Sequence, residues 1–265
     1  MNHNDILGAT MAGLEAGFKV YHIAAFDLLV CAPEMNARLV LDDPKLMDFD
    51  HIPVREGSRI VGMLERELLD SEEPVRDRMR RLDGEMLVSA EEPLPKFLST
   101  LVKSKYRLVV QGTSIQGIVT LSDVAKLPVR LLAFTSVAHL EAILTKVIRT
   151  KCANNDEKWL SLLGGRRARV EKRLQDRRKQ NIHLLSPIEV AYLGEKITVV
   201  GRLLRFEKLE NDGKSITNFR NSLAHDGDFV KECKGVDGLL ERLRLVQEWI
   251  EKLNYHAGGE GKTDA

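Results

Sequence analysis

The stretches "HIPVREGSRIVGMLER" (51–66) and "YRLVVQGTSIQGIVTLSD" (106–123) are two copies of one pattern, and they decide the fold of the first half of the chain. They align without a gap at an offset of 55 residues, with Gly57 matching Gly112. In each copy two short apolar segments flank a turn that contains this glycine. Such a pattern is typical of a β-hairpin with a short loop.

Helix-like sequence surrounds the second hairpin. In "PLPKFLSTLVKSK" (93–105) the apolar residues recur at helical spacing, and "LSDVAKL" (121–127) has the composition of a helix start. The predicted order is therefore helix, strand, strand, helix. Between the two copies, the charged segment 71–86 contains Pro74 and is predicted to be an exposed linker helix.

This order, its duplication and the phrase "GIVTLSD" resemble the CBS domain, which usually occurs as a tandem pair. The resemblance covers about residues 15–127 and is weaker in the first copy, where segment 31–50 departs from the usual helix. It implies a nucleotide site in which Thr120 contacts phosphate and Asp123 contacts the ribose hydroxyls. The effector would be an adenosine nucleotide such as AMP or ATP, or S-adenosylmethionine.

The same two residues have a simpler interpretation. Ser, Thr and Asp are common at helix starts, so Thr120 and Asp123 are also what an ordinary N-terminal cap requires. In the first copy Glu65 and Leu68 occupy the equivalent positions, which removes both functional groups. At most one of the two related sites is therefore predicted to bind a typical adenosine nucleotide.

Composition limits the functional classes. The 265 residues include 43% hydrophobic and 30% charged residues, and 40 basic residues against 39 acidic ones give a net charge of +1. The start has no secretory pattern, and no stretch reaches the length that a membrane span needs, so we expect a cytoplasmic protein without a membrane partner. The three widely separated cysteines fit neither a disulfide framework nor a zinc site, and no metal is predicted.

From residue 129 onward apolar residues recur at helical spacing, which predicts four to five helices in a compact bundle. The predicted fold class is thus α+β, an α/β CBS pair, followed by an all-α bundle. The predicted domains are 1–127, a nucleotide-sensing repeat; 128–256, a helical domain; and 257–265, a small polar tail expected to be disordered.

A basic run, "GGRRARVEKRLQDRRKQ" (164–180), lies within the helical part. Such a run is usually a solvated helix face. Here arginine outnumbers lysine six to two, and arginine is favoured where phosphates are gripped through paired hydrogen bonds. The candidate RNA-binding residues are Arg166, Arg167, Arg169, Arg173 and Arg177.

The hexapeptide "RNSLAH" (220–225) contains the candidate catalytic residues. On a helix Asn221 and His225 share one face, whereas Arg220 lies about 140° around the axis from His225. The apolar residues Ile216, Phe219 and Leu223 form a stripe on the opposite side from Asn221 and His225. If Arg220 and His225 act together, one of them has to come from a second copy across a two-fold axis.

The R-N-x-x-x-H motif in an all-helical context resembles the HEPN superfamily, over about residues 129–256. Members commonly cut RNA without a metal, as dimers, and leave 2′,3′-cyclic phosphate ends. The resemblance implies that His225 is the acid or base, that Arg220 stabilises the developing charge, and that Asn221 orients the histidine. It also implies a toxin, antiviral defence or stress-response role. The order of the two domains suggests that a ligand at Thr120 and Asp123 controls how the two helical units face each other.

A non-enzymatic alternative remains open. In it the CBS pair is a dimerisation scaffold, and "RNSLAH" is a polar helix face that binds a partner protein or nucleic acid without cutting it.

Overall fold

The two copies of the repeat fold into the predicted hairpins. The computed structural model describes residues 10–11, 13–68, 72–101, 104–180, 185–224 and 228–257. In its α+β part the strands are β1 (His51–Glu56), β2 (Arg59–Glu65), β3 (Arg80–Arg81), β4 (Leu87–Ser89), β5 (Tyr106–Gln111) and β6 (Ser114–Thr120). They form two three-stranded sheets, in the orders β1-β2-β3 and β4-β5-β6.

The internal symmetry extends to the irregularities of the hairpins. Both β1–β2 and β5–β6 are antiparallel, and each contains a register shift at the same place in the repeat, after Val54 and after Val109. The turn glycines Gly57 and Gly112 have φ angles of +59° and +64°, which glycine adopts without the steric cost that a side chain brings. The predicted duplication is confirmed down to the bulge and the turn.

A second pair of glycines lies where neighbouring backbones meet. A Cβ atom on Gly62 would lie 2.6 Å from the carbonyl oxygen of Arg80, and one on Gly117 would lie 2.9 Å from the carbonyl oxygen of Ala25. Both glycines occupy the same position of the repeat. The missing side chain leaves room for β3 beside β2 at Gly62, and for the segment around Ala25 beside β6 at Gly117.

We expect Gly62→Ala to lower the free energy of unfolding of this unit by about 1–3 kcal/mol, because the added methyl group overlaps a backbone oxygen that has no free rotation. Gly84→Ala is the matched control, since nothing lies within 4 Å of the Cβ position there. Denaturant unfolding of the two variants measures the difference. Equal stability would contradict the role given to Gly62.

The helices of this unit are α1 (Ala37–Asp42), α2 (Val75–Arg78) and α3 (Leu94–Leu101). Segment 31–50 contains a short helix, α1, which is capped by Asn36 through the N–H of Arg38. One expectation is wrong here. Segment 71–86 is no linker helix: among its described residues α2 has only four residues, and β3 pairs with β2.

The helical part contains five helices of twelve residues or more among the described residues, in agreement with the predicted bundle. They are α4 (Leu127–Lys151), α6 (Arg167–Lys179), α8 (Leu193–Leu204), α9 (Glu207–Ala224) and α11 (Val236–Ala257), with short helices α5 (Asp156–Leu160), α7 (Pro187–Val190) and α10 (Phe229–Glu232) between them. Ser186 is the N-cap and Pro187 the first residue of α7, which is the pattern expected at a helix start.

Helix α4 is the apolar centre of this unit. The apolar residues that recur at helical spacing along it are all buried: Leu132, Val137, Leu140, Ile143, Leu144 and Val147. By length and hydropathy α4 could also cross a membrane, which the sequence analysis did not anticipate. However, 56% of its most apolar window is buried within the fold, and the core helix of a soluble protein passes the same test.

The chain divides into two compact units. One is Ala16–Val129, the α+β unit, and the other contains the described residues from Arg130 onward together with the described residues up to Glu15. The division lies two residues beyond the predicted boundary at 127. Glu15 joins the helical unit through the buried His139, whose Nδ1 lies 3.4 Å from a carboxylate oxygen of Glu15. The predicted tail beyond Ala257 lies outside the described residues.

Candidate functional site

The last turns of α9 present Arg220 and Asn221 to solvent. Both residues are exposed, whereas Ile216, Phe219 and Leu223 are buried, so the predicted division of this helix into apolar and polar sides is confirmed. An Nη1 of Arg220 lies 3.4 Å from the side-chain oxygen of Asn221. The helix ends at Ala224, and His225 lies outside the described residues.

Two contacts fix α9 in the bundle. A Cβ atom on Gly213 would lie 2.8 Å from Cγ2 of Ile197, so this glycine allows α9 to pack closely on α8. At the other end, Nε of Arg130 donates to the carbonyl oxygen of Leu223 at 3.0 Å. A guanidinium there satisfies a free carbonyl and complements the negative end of the helix dipole. The segment that carries Arg220 and Asn221 is therefore held at both ends.

A cleft of about 790 Å³ opens beside this segment, within the helical unit. It brings together residues from α4, α6, α9 and the start of α8. Its lining includes Glu141, Arg173, Asp176, Arg177, Glu189, Tyr192, Thr217, Arg220 and Asn221. Two of the three predicted catalytic residues thus share one cleft with two of the five predicted RNA-binding arginines.

The acidic residues of the cleft are engaged by other groups. Glu141 pairs with the buried Lys196 at 2.7 Å, and Asp176 lies 3.8 Å from Lys179. A carboxylate oxygen of Glu189 accepts the N–H of Ser186 at 2.7 Å. Among the described residues, by contrast, Arg177 and Arg220 have no acidic partner. The cleft therefore offers two guanidinium groups without an acidic partner in the described part of the chain, and such groups are suited to bind an anion such as phosphate.

Arg173 has a different role. Its Nε donates to the carbonyl oxygen of Val190 at 2.9 Å, its Nη2 forms an ion pair with the buried Glu195, and its guanidinium stacks on the ring of Tyr192 at 4.0 Å from the ring centre. These contacts use most of its donors. Arg173 shapes the cleft wall, and its charge is largely neutralised.

The remaining basic candidates lie on the same run but are not among the cleft residues. Arg166 donates to Thr198 Oγ1 at 2.8 Å, and Arg167 pairs with Glu157 at 2.9 Å and with Glu171 at 2.7 Å. Arg169 is exposed. Of the five candidate arginines, Arg177 is therefore the one that, like Arg220, lines the cleft and has no acidic partner among the described residues.

In the α+β unit, Thr120 and Asp123 cap the short 3-10 helix Leu121–Ala125 that follows β6. Oδ2 of Asp123 accepts from the N–H of Thr120 at 2.6 Å and from its hydroxyl at 3.0 Å, while Oδ1 pairs with Lys126 at 2.7 Å. The carboxylate is buried. The capping interpretation left open by the sequence therefore holds. A nucleotide would have to hydrogen-bond to those lone pairs of the Asp123 carboxylate and the Thr120 hydroxyl that the cap leaves free.

The equivalent position of the first copy is occupied by protein groups. The hydroxyl of Tyr106 donates to Glu65 at 3.3 Å, and the ring of His51 packs at a tilt against that of Tyr106 with centres 4.6 Å apart. Burial, with a smaller effect of the Glu65 charge, raises the pKa of Tyr106 to about 12, and burial lowers the pKa of His51. Both groups are neutral near pH 7 and hold the two hairpins together.

The three cysteines are free and buried, and burial raises the pKa of the Cys31 thiol to about 11. Such a thiol is almost entirely protonated at pH 7 and is a poor nucleophile. Within the described part of the chain, no three His, Cys, Asp or Glu side chains are grouped as metal ligands.

Sequence reasoning missed Tyr192, which lines the cleft, and the buried Glu195, which pairs with the lining residue Arg173. The available signal was weak: a Glu three residues after a helix start is typical of a cap, and the Glu195 carboxylate does accept the N–H of Tyr192 at 2.7 Å. Its pairing with Arg173 depends on the packing of α6 against the start of α8, which no local pattern encodes.

These features define a two-unit protein, with a duplicated α+β unit and a helical unit that carries a polar cleft. No protein-family model and no curated protein matches the chain significantly.

Several solved structures resemble part of it. CBSX2 in complex with AMP is 18% identical and covers 43% of this chain and 98% of its own, with a TM-score of 0.39. The CBS domain of a bacterial CNNM/CorC family Mg2+ transporter in complex with ATP is 19% identical and covers 45% and 93%, with a TM-score of 0.37. A hemolysin-like protein of Oenococcus oeni PSU containing a CBS domain is 14% identical and covers 44% and 93%, with a TM-score of 0.36.

Proposed function

We propose that the helical unit is a metal-independent endoribonuclease that acts as a homodimer, as the HEPN resemblance implies. The observation that carries this proposal is the cleft in which Arg220 and Asn221 lie beside Arg177, with both guanidiniums free of acidic partners among the described residues. Unpaired arginines at a polar helix end are suited to an anionic, phosphate-containing substrate.

The chemistry follows from the residue types. His225 accepts the proton of a ribose 2′-OH, the 2′ oxygen bonds to the adjacent phosphorus, and the bond from phosphorus to the 5′ oxygen breaks. A proton transferred to that oxygen completes the departure of the 5′-OH product. Arg220 stabilises the extra negative charge on the phosphoryl oxygens in the transition state.

RNA cleavage in the presence of EDTA tests this proposal. We expect the purified protein to cut labelled single-stranded RNA and to leave 2′,3′-cyclic phosphate and 5′-OH ends, which periodate resistance and phosphatase treatment identify. Cleavage that requires added divalent metal, or products with 3′-OH ends, would contradict the mechanism.

A second candidate function, binding without cleavage, is supported by the contacts of the basic run. Arg166, Arg167 and Arg173 are engaged by protein groups, which reduces the basic surface available to a long RNA. In this alternative the helical unit binds a partner protein or RNA without cutting it. An absence of RNA cleavage under any nucleotide condition would favour it.

We further propose that the α+β unit is a CBS pair that regulates the helical unit by binding an adenosine nucleotide or S-adenosylmethionine. Its support is the duplicated hairpin arrangement and the placement of Thr120 and Asp123 at the helix start after β6. Backbone N–H groups at a helix start favour an anionic phosphate. Only the second copy keeps these residues, so we expect one ligand per chain.

Thermal denaturation with AMP, ATP and S-adenosylmethionine tests this site. We expect at least one ligand, at a concentration of about 100 Kd, to stabilise the wild type by about 2.7 kcal/mol. Asp123→Ala is expected to lose this shift. The matched control is Asp83→Ala, which removes a cap of the same kind, to the N–H of Met86, elsewhere in the unit. An Asp123→Ala protein that responds like the wild type would remove this site from consideration.

A further inference from the structure

Tyr192 is an exposed aromatic residue whose ring packs against the guanidinium of Arg173. It is 65% exposed, and the guanidinium of Arg173 covers one face of its ring at 4.0 Å from the ring centre. A cation on one face and high overall exposure leave the other face of the ring accessible. The chemistry described for Arg220 and His225 makes no use of this ring.

The ring is also fixed in place. The carboxylate of Glu195 forms the ion pair with Arg173 and accepts the N–H of Tyr192 at 2.7 Å, so one buried group holds both the backing cation and the backbone of the tyrosine. Arg173 is further held by the carbonyl oxygen of Val190 at 2.9 Å. A ring held in this way loses little conformational entropy when a flat partner stacks on it.

The location of the ring indicates the partner. Tyr192 lines the same cleft as Arg177, Arg220 and Asn221. Unpaired cations along a groove, together with an accessible aromatic face, are the elements that proteins use to bind single-stranded nucleic acid. Tyr255 provides a contrast, because it is 85% exposed on α11 but lies outside this cleft.

We propose that Tyr192 is a stacking platform for a nucleobase of single-stranded RNA, with Arg173 as its support and with the adjacent phosphates on Arg177 and Arg220. This inference rests on the function proposed for the same cleft. A stacking platform accepts every base but favours purines, whose larger rings overlap more of the tyrosine. The expected substrate is therefore an unpaired segment of RNA with a modest preference for a purine at one position.

The test separates base stacking from phosphate binding. Fluorescence anisotropy measures the affinity of the full chain, in a His225→Ala background that prevents cleavage, for an oligoadenylate of roughly ten nucleotides and for an abasic ribose–phosphate oligomer of the same length. Adding Tyr192→Ala is expected to weaken oligoadenylate binding by about 5- to 100-fold and to leave abasic binding unchanged. Tyr192→Phe should bind within about twofold of its parent, and Tyr192→Leu should behave like alanine.

The outcomes are distinguishable. Tyr255→Ala, the matched control, should change neither affinity. If Tyr192→Ala binds oligoadenylate as tightly as its parent, or if both oligomers are weakened equally, the platform is refuted while RNA binding stands. If neither the wild type nor His225→Ala binds either oligomer, the proposed function fails and this inference fails with it.

Discussion

His225→Ala is expected to lower the rate of RNA cleavage in EDTA by about 10²- to 10⁴-fold, because general acid–base catalysis by a positioned imidazole contributes a factor of this size. The histidine directly follows the last residue of α9, Ala224, in the sequence. The loss should appear in kcat with little change in RNA affinity, since the imidazole acts on a proton and not on the phosphate charge.

The matched control for this variant is His256→Ala in the same unit. His256 lies on α11, packs against the ring of Phe206 and is not among the residues of the cleft. Its variant should cut RNA at the wild-type rate. Cleavage that survives His225→Ala would remove the catalytic assignment, whatever the fate of the RNA-binding cleft.

Arg220→Ala is expected to lower kcat by about 10²- to 10³-fold, the cost of removing one donor that stabilises a developing oxyanion. Arg220 has no acidic partner among the described residues, so its removal leaves no buried charge behind and should not unfold the protein. Arg220→Lys keeps the charge but loses the paired hydrogen bonds of the guanidinium, and should recover only part of the rate.

Two other arginines make this prediction specific. Arg177→Ala removes the second unpaired guanidinium of the cleft and should mainly raise KM, because we assign it to phosphate binding away from the reacting bond. Arg244→Ala, on the exposed side of α11, should leave both constants unchanged. If Arg220→Ala raised KM without lowering kcat, the residue would be a binding residue and its proposed role in the transition state would be wrong.

Much of the architecture was predictable because it is encoded locally. The turn glycines Gly57 and Gly112 and the alternation around them determine the hairpins, and the offset of 55 residues reveals the duplication. The apolar stripe of α4 and the cap at Ser186 are likewise readable from spacing alone. Helix α1 was missed although its cap, Asn36, stands in the sequence, because six residues are too few for a clear helical period.

The cleft was only partly predictable. The motif supplied Arg220 and Asn221, and the basic run supplied Arg173 and Arg177. Which of these arginines is free depends on the acidic residues that tertiary packing brings near them. Glu195 neutralises Arg173 from 22 positions along the chain, and such a pairing has no local signature.

We propose that the active site is composed of two copies of this chain, with Arg220 supplied by one and His225 by the other. Co-expression of Arg220→Ala and His225→Ala chains that carry different affinity tags allows the heterodimer to be purified free of both homodimers. One of its two composite sites then has both functional residues, so the heterodimer should cut RNA in EDTA at about half the wild-type rate, while each homodimer is inactive. A heterodimer no more active than the two variant homodimers would contradict a site shared between copies.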